Sequence, residues 1–211
     1  MPTALIVEDE PEANKLLSML VKLRGFQTIS AFTGREAIEK AGESEPDVVF
    51  LDLMLPDING YEVCRALKSR QPTSAIPVVI VTARVAADNR FESFSNGADD
   101  YIPKPYTPDQ IFESLSRAAD WRRELDASEI EGTIALNQAE SGSLRQLARL
   151  RSLLFARSSL NFGTVEDIFS EIHRIWAFAD RWAADRRAQA PISLDYVIDA
   201  RHLHIQLRDH D

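Results

Sequence analysis

Three short runs of unbroken hydrocarbon set the terms for the first half of this chain: Ala4-Leu5-Ile6-Val7, Val48-Val49-Phe50-Leu51 and Val78-Val79-Ile80-Val81. A strand with one face in water alternates apolar and polar residues. Runs without alternation, rich in Val, Ile and Leu, suit parallel strands covered on both faces. Weaker runs over residues 26–31 and at Tyr101-Ile102 bring the count to five. Between them lie segments with helical spacing, at about residues 11–24, 34–41, 60–70, 87–96 and 108–126. In the first, Leu16, Leu17, Leu20 and Leu23 read as one apolar stripe, and Pro11 sits in the first turn, where a helix tolerates it. Five strand–helix units predict an α/β domain with a doubly wound, five-stranded parallel sheet.

Charge then divides the chain. The net charge is −9, from 33 acidic and 24 basic residues. Residues 1–126 carry 14 Lys/Arg against 21 Asp/Glu, and residues 127–211 carry 10 against 12, with no lysine after Lys104. This shift predicts a boundary near residue 127. The second part reads as a short strand (133–136), a helix (143–157), a longer helix (165–186) and two alternating strands (193–199 and 202–208), an α+β pattern. An acidic balance excludes a chain-wide basic footprint for nucleic acid. The single cysteine, Cys64, excludes an internal disulfide framework and fits a reducing compartment. No apolar run approaches the roughly 18–20 residues needed to cross a bilayer, and the N-terminus lacks the layout of a signal peptide. A cytoplasmic protein with no membrane partner is expected.

In open α/β sheets, ligands bind beyond the carboxyl ends of the strands. Polar residues collect there: Glu8, Asp9 and Glu10 follow the first strand, Asp52 ends the third, Thr82 ends the fourth and Lys104 follows the fifth. Carboxylates crowded together need a compensating cation. Oxygen ligands suit Mg²⁺, and the sequence holds no cysteine–histidine cluster for zinc. Asp52 can then attack phosphorus to form an acyl phosphate, with Lys104, the Thr82 hydroxyl and the metal stabilising charge on the phosphoryl oxygens. Each residue alone has a plainer reading, as a helix cap, a turn or surface. Their arrival together at four neighbouring strand ends favours an aspartyl-phosphate site.

These residues also carry a resemblance. Residues 1–126 resemble the receiver domain of two-component response regulators, in "LIVEDEPE", "VVFLDLMLPDINGYEV", "VVIVTA" and "NGADDYIPKPY". The resemblance implies a flavodoxin-like fold, with Asp52 as the phosphorylated residue. It implies that Glu8 and Asp9 hold Mg²⁺, with Asp52 and the Met54 carbonyl as further ligands. It also implies that Thr82 and Lys104 bind the phosphoryl group, that Tyr101 is the switch aromatic, and that the Lys104–Pro105 bond is cis. The donor would be a sensor histidine kinase or a phosphotransfer protein. Such a domain is not an enzyme acting on a separate substrate; it promotes only its own phosphorylation and dephosphorylation.

For residues 127–211 three readings stand. A DNA-binding output would need a groove-reading helix, and the candidate at 143–157 offers Arg145, Arg149, Arg151 and Arg157. Only Arg145 and Arg149 share a face, while Leu144, Leu147, Leu150 and Leu154 form a stripe turned to a core. DNA is therefore not the expected partner. The order of elements, ending "LHIQLRD", resembles more weakly the ATPase fold of histidine kinases and anti-sigma-factor kinases. There Glu171 is kept, Ile175 stands where an Asn belongs, and His210 and Asp211 follow Asp209 in place of a glycine-rich lid. No nucleotide site is expected, and a degenerate domain contacting an unknown downstream protein is the favoured reading. His173, beside Trp176, reads as packing or surface rather than a phosphotransfer histidine. His202 and His204 read as an ordinary exposed strand face rather than a metal pair. Trp176, Phe178 and Trp182 read as core, and Cys64 as a small packed side chain. The receiver could also form a homodimer, although no self-complementary seam is legible.

Overall fold

The computed structural model describes residues 1–83, 92–125, 127, 130–135, 141–186, 193–198 and 203–208, with the side chains of residues 141, 176–186 and 203 left aside. The chain divides into two compact units, Met1–Leu125 and Asp126–Asp211.

In the first unit the strands are β1 (Thr3–Val7), β2 (Gln27–Ala31), β3 (Val48–Leu51), β4 (Val78–Thr82) and β5 (Asp100–Pro103). All neighbours pair parallel, in the order β2-β1-β3-β4-β5. This is a doubly wound arrangement with its switch between β1 and β3. The helices are α1 (Pro11–Lys22), α2 (Gly34–Ser44), α3 (Gly60–Lys68), the single turn α4 (Gln71–Ser74) and α5 (Pro108–Leu125). The first half of the helix expected over 87–96 lies outside the described residues; in the second half, 92–95 are helical.

Why β1, β3 and β4 are apolar along almost their whole length is visible in the packing. Ala4, Ile6, Val48, Phe50, Val79, Val81 and Ile102 form one core with Leu17 and Val21 of α1 and Ile111, Leu115 and Ala118 of α5. Side chains alternate across a strand, so Leu5, Val7, Val49, Leu51 and Ile80, equally buried, serve the opposite face. The apolar stripe read on α1 is corrected. The buried residues are Asn14, Leu17, Ser18 and Val21, spaced i, i+3, i+4, i+7, while Leu16 and Leu23 are 55% and 75% exposed. The true face includes two polar residues, which a search for leucines passes over. Helix α2 also runs three residues beyond its expected end, and α3 stops at Lys68, before the separate turn α4.

The second unit holds β6 (Ile130–Ala135), α6 (Ser141–Arg157), α7 (Phe162–Arg186), β7 (Ser193–Ile198) and β8 (Leu203–Arg208). Its sheet is antiparallel, in the order β6-β7-β8. Ile130, Ile134, Leu194 and Ile198 bring one face of the sheet into the core, and Leu147, Leu150 and Leu154 are buried along α6. The Asn161 side chain caps α7 by accepting the Thr164 N–H at 2.9 Å, and Phe155 meets Phe162 edge-on across the helix junction. The order strand, helix, longer helix, hairpin is the one the sequence predicts.

Candidate functional site

The sheet order places β1, β3, β4 and β5 side by side, so the residues just past their carboxyl ends share one pocket. Asp52 follows β3, its N–H donating to the Val7 carbonyl at 2.9 Å. Lys104 follows β5, its N–H donating to the Thr82 carbonyl at 2.8 Å. From there the Lys104 ammonium reaches Glu8 Oε2 and Asp52 Oδ2, each at 2.5 Å. Glu8, Asp52 and Thr82 are buried; Tyr101, on β5, is buried as well. The Lys104–Pro105 peptide is cis.

Burial dominates the electrostatics. Desolvation pushes the Glu8 carboxyl above its ordinary value, the bond and charge of Lys104 pull it back in part, and the charges of Asp52 and Asp9 add to the upward push. Burial opposes the charge on Lys104 too, but its two carboxylate partners prevail and its pKa lies above the ordinary lysine value. The Tyr106 phenol is raised, chiefly by burial.

The loop after Asp52 is held tightly. The Met54 N–H donates to Asp52 Oδ1 at 3.1 Å, and the Gly60 N–H donates to the Leu53 carbonyl at 3.0 Å. A Cβ on Gly60 would stand 2.4 Å from the Asp52 carbonyl oxygen and 2.7 Å from Leu53 Cα, so only glycine fits there. Asn59 caps α3 by accepting the Tyr61 N–H at 2.9 Å. Asp57 reaches across the loop to cap α2, accepting the Gly34 and Arg35 N–H groups at 2.7 and 3.0 Å. Burial works against the Asp57 charge, yet these backbone donors hold its carboxyl below the usual range.

The donor set fits a hard divalent cation. It is all oxygen, and two of its carboxylates, Glu8 and Asp52, are buried side by side with the single Lys104 ammonium between them. Among the described residues no three His, Cys, Asp or Glu side chains are gathered closely enough to cage a metal by themselves. Asp9 is exposed, on the lip of a cleft of about 440 Å³ that Met54 and residues 55–59 also line. A cation here would therefore need backbone and solvent oxygens besides Glu8 and Asp52, and Met54 is among the residues lining that cleft.

Sequence reading missed three structural groups: Asn14, Asp57 and Lys68. Lys68 is 3% exposed and binds Asp99 Oδ2 at 2.7 Å and the Ser74 and Ile76 carbonyls at 3.1 and 2.8 Å. A polar residue on the core face of a helix was the available signal for Asn14 and Lys68.

In the second unit, His173 bonds the Phe169 carbonyl of its own helix at 2.7 Å, and His204 is exposed on β8. His202, Asp209, His210 and Asp211 lie outside the described residues, as do the side chains of Trp176, Phe178 and Trp182. Glu171 forms a surface ion pair with Arg174, and Ile175 is exposed. Arg151, considered above for groove reading, is buried and paired with Glu166 of α7 at 3.3 Å. Cys64 is buried in α3. No described helix is long and apolar enough to cross a membrane.

The response regulator receiver domain family matches residues 4–116. The transcriptional regulatory protein KdpE of Mycobacterium tuberculosis is 32% identical over 182 residues, covering 76% of this chain and 78% of the relative. The phosphate regulon transcriptional regulatory protein PhoB of Rhizobium meliloti is 35% identical over 111 residues, 53% of this chain and 49% of its own. Among solved structures, a CheY-like response regulator receiver domain protein from Methanospirillum hungatei superposes with a TM-score of 0.54 at 25% identity, covering 59% of this chain and 98% of that one. The signal receiver domain of a histidine kinase from Syntrophus aciditrophicus gives 0.53 at 31% identity, with 57% and 91% covered. With more than half of its residues matched to the receiver family, and KdpE followed over most of its length, this chain belongs to the response regulators and its first unit is a receiver domain.

Proposed function

We propose that Asp52 is the phosphoacceptor of a cytoplasmic phosphorelay protein, taking its phosphoryl group from a sensor histidine kinase or a phosphotransfer protein. The observation that carries this reading is the Lys104 ammonium bound at once to Asp52 and Glu8 at the strand ends. An Asp52 oxygen attacks phosphorus, the bond from phosphorus to the donor breaks, and the donor leaves with the electron pair. Lys104 gives up its contact with Asp52 to bind a phosphoryl oxygen, while the Thr82 hydroxyl, at the next strand end, donates to another. Mg²⁺, held by Glu8, Asp9, Asp52 and the Met54 carbonyl, would supply further neutralisation of the phosphoryl charge when bound. The new charge on Asp52 biases a pre-existing equilibrium that Thr82 and Tyr101 transmit. Acetyl phosphate with Mg²⁺ should add one phosphoryl group to the chain, read by intact mass. Asp52→Ala should take up none, and normal labelling of that variant would refute the assignment.

Residues 1–126 act in this reading as the switch and residues 127–211 as the output, which works through contacts with a downstream protein. Burial of Arg151 against Glu166 and the apolar stripe along α6 support it, since they turn that helix toward a core rather than toward a groove. A second reading, a phosphorylation-gated transcription regulator, is favoured by one observation. The match to KdpE covers 76% of the chain, so it extends past the first unit. Retention on DNA that weakens steeply with salt would support the second reading. Specific binding of an ATP analogue would instead support the ATPase-like resemblance. Absence of both, with a protein partner captured only by the phosphorylated chain, would support the first.

A further inference from the structure

We propose that Asn14 is a positioning residue, setting the turn that presents Glu8 and Asp9 to the cation; the inference rests on the phosphoacceptor reading above. Asn14 stands in the first turn of α1 with its side chain 2% exposed. Asparagine is a poor helix former, and a buried amide is unfavourable unless its polar atoms find partners. Here the amide is engaged at both ends. Nδ2 donates to the Ile6 carbonyl at 3.2 Å and to the Glu8 carbonyl at 3.3 Å, while Oδ1 accepts the Ser30 hydroxyl at 2.7 Å.

The Glu8 bond matters because of where the sheet stops. Pairing between β1 and β2 ends at Val7 and Ala31. One further rung follows, from the Glu8 N–H to the Ala31 carbonyl at 3.1 Å. The Glu8 carbonyl is the next acceptor along that edge, beyond the end of β2, and Asn14 supplies the donor that a strand would have supplied. Glu8 is thus held by its N–H on the strand side, by its carbonyl on the helix side and by its carboxylate through Lys104. The peptide leading to Asp9 is fixed by the same carbonyl bond. Ser30 on β2 fixes the amide in turn, so the orientation of the acidic pair is set by three elements: β1, β2 and α1.

The test uses the full chain and two variants. Asn14→Leu keeps a branched side chain and removes all three bonds; Ser30→Ala removes only the tether to Oδ1. Mg²⁺ binding is measured by calorimetry, thermal unfolding is followed alongside, and labelling by acetyl phosphate is timed at saturating Mg²⁺. Groups that orient metal ligands typically change metal affinity by 10–100-fold, so Asn14→Leu should weaken Mg²⁺ binding about tenfold and Ser30→Ala about threefold. Both should label within about twofold of the wild-type rate once Mg²⁺ saturates, because the acidic pair can still be drawn into place. Unchanged Mg²⁺ affinity in both variants, whatever happens to the melting temperature, would overturn the proposal. A labelling deficit that saturating Mg²⁺ does not relieve would overturn it too. If Asn14→Leu does not fold, Ser30→Ala decides alone. Failure of the wild-type chain to bind Mg²⁺ would bring down the phosphoacceptor reading and this inference with it, whereas normal wild-type binding with unaffected variants brings down this inference only.

Discussion

Replacing Lys104 by methionine tests how the pocket is balanced. Methionine keeps the hydrocarbon stem and removes the charge and the donors. Glu8 Oε2 and Asp52 Oδ2 both bond the same ammonium at 2.5 Å. Those oxygens are therefore no more than about 5 Å apart, where two unit charges repel by about 3 kcal/mol at an effective dielectric of about 20. In the intact pocket the shared cation offsets that repulsion. Without it, the first unit should lose about 2–3 kcal/mol of stability at about pH 7.5. The sign of the pH dependence follows from Glu8, whose folded carboxyl already lies above its ordinary value because of burial. Such a group stabilises the fold while protonated, and that contribution is lost as pH rises from the unfolded value through the raised folded one. Lys104→Met removes the two causes that pull Glu8 down and so extends this window upward. The deficit should be small at about pH 5 and grow toward neutrality, with Mg²⁺ recovering part of it. Urea unfolding of the full chain, followed by hydrogen exchange in peptides covering β1 and β3, isolates the first unit. A deficit equal at both pH values, or larger in acid, would refute the electrostatic account.

Three further outcomes are expected. Lys68→Met strips the partner from Asp99 and from two carbonyls, and should destabilise the first unit by about 3–5 kcal/mol. Adding Asp99→Asn should return part of this, because asparagine can still accept the Val78 N–H that Asp99 Oδ2 now accepts at 2.8 Å; denaturant midpoints of the single and double variants check both. Leu17→Ala should lower stability by about 2–4 kcal/mol and Leu23→Ala by less than about 0.5, which separates the buried face of α1 from the exposed leucines. Gly60→Ala forces a Cβ into the Asp52–Leu53 backbone and should destabilise by about 3 kcal/mol or more, with phosphoryl labelling of Asp52 slowed in parallel.

The strands and the pocket were legible because each is written in a local code. Unbroken hydrocarbon at Ala4–Val7 and Val48–Leu51 can be satisfied only by cover on two faces, and polar residues at the ends of such strands have one place to meet. The elements of residues 127–211 were readable for the same reason, down to the hairpin strands. What escaped were groups whose role depends on geometry between elements. Four leucines at the first helix suggested a face, but Leu16 and Leu23 are exposed, and Asn14 and Ser18 join Leu17 and Val21 on the buried side, where Asn14 bonds the Ile6 and Glu8 carbonyls. Lys68 reads as a surface lysine until the carbonyls of Ser74 and Ile76 are seen to converge on it. Asp57 reads as a turn residue, because nothing local indicates that its carboxylate closes a helix 23 residues earlier.

That last contact ties two events of chain opening into one. Helix α2 is capped by Thr33, which accepts the Glu36 N–H, but its first two N–H groups find their acceptor in the loop that follows Asp52, so the loop cannot swing out without freeing the Gly34 and Arg35 donors. Ile58, from the same loop, lies where a Cβ on Gly34 would have to go, which closes the seam further. The two segments should therefore behave as a single cooperative unit, and the amide protons of Gly34 and Arg35 should exchange with solvent at the rate at which the loop itself opens.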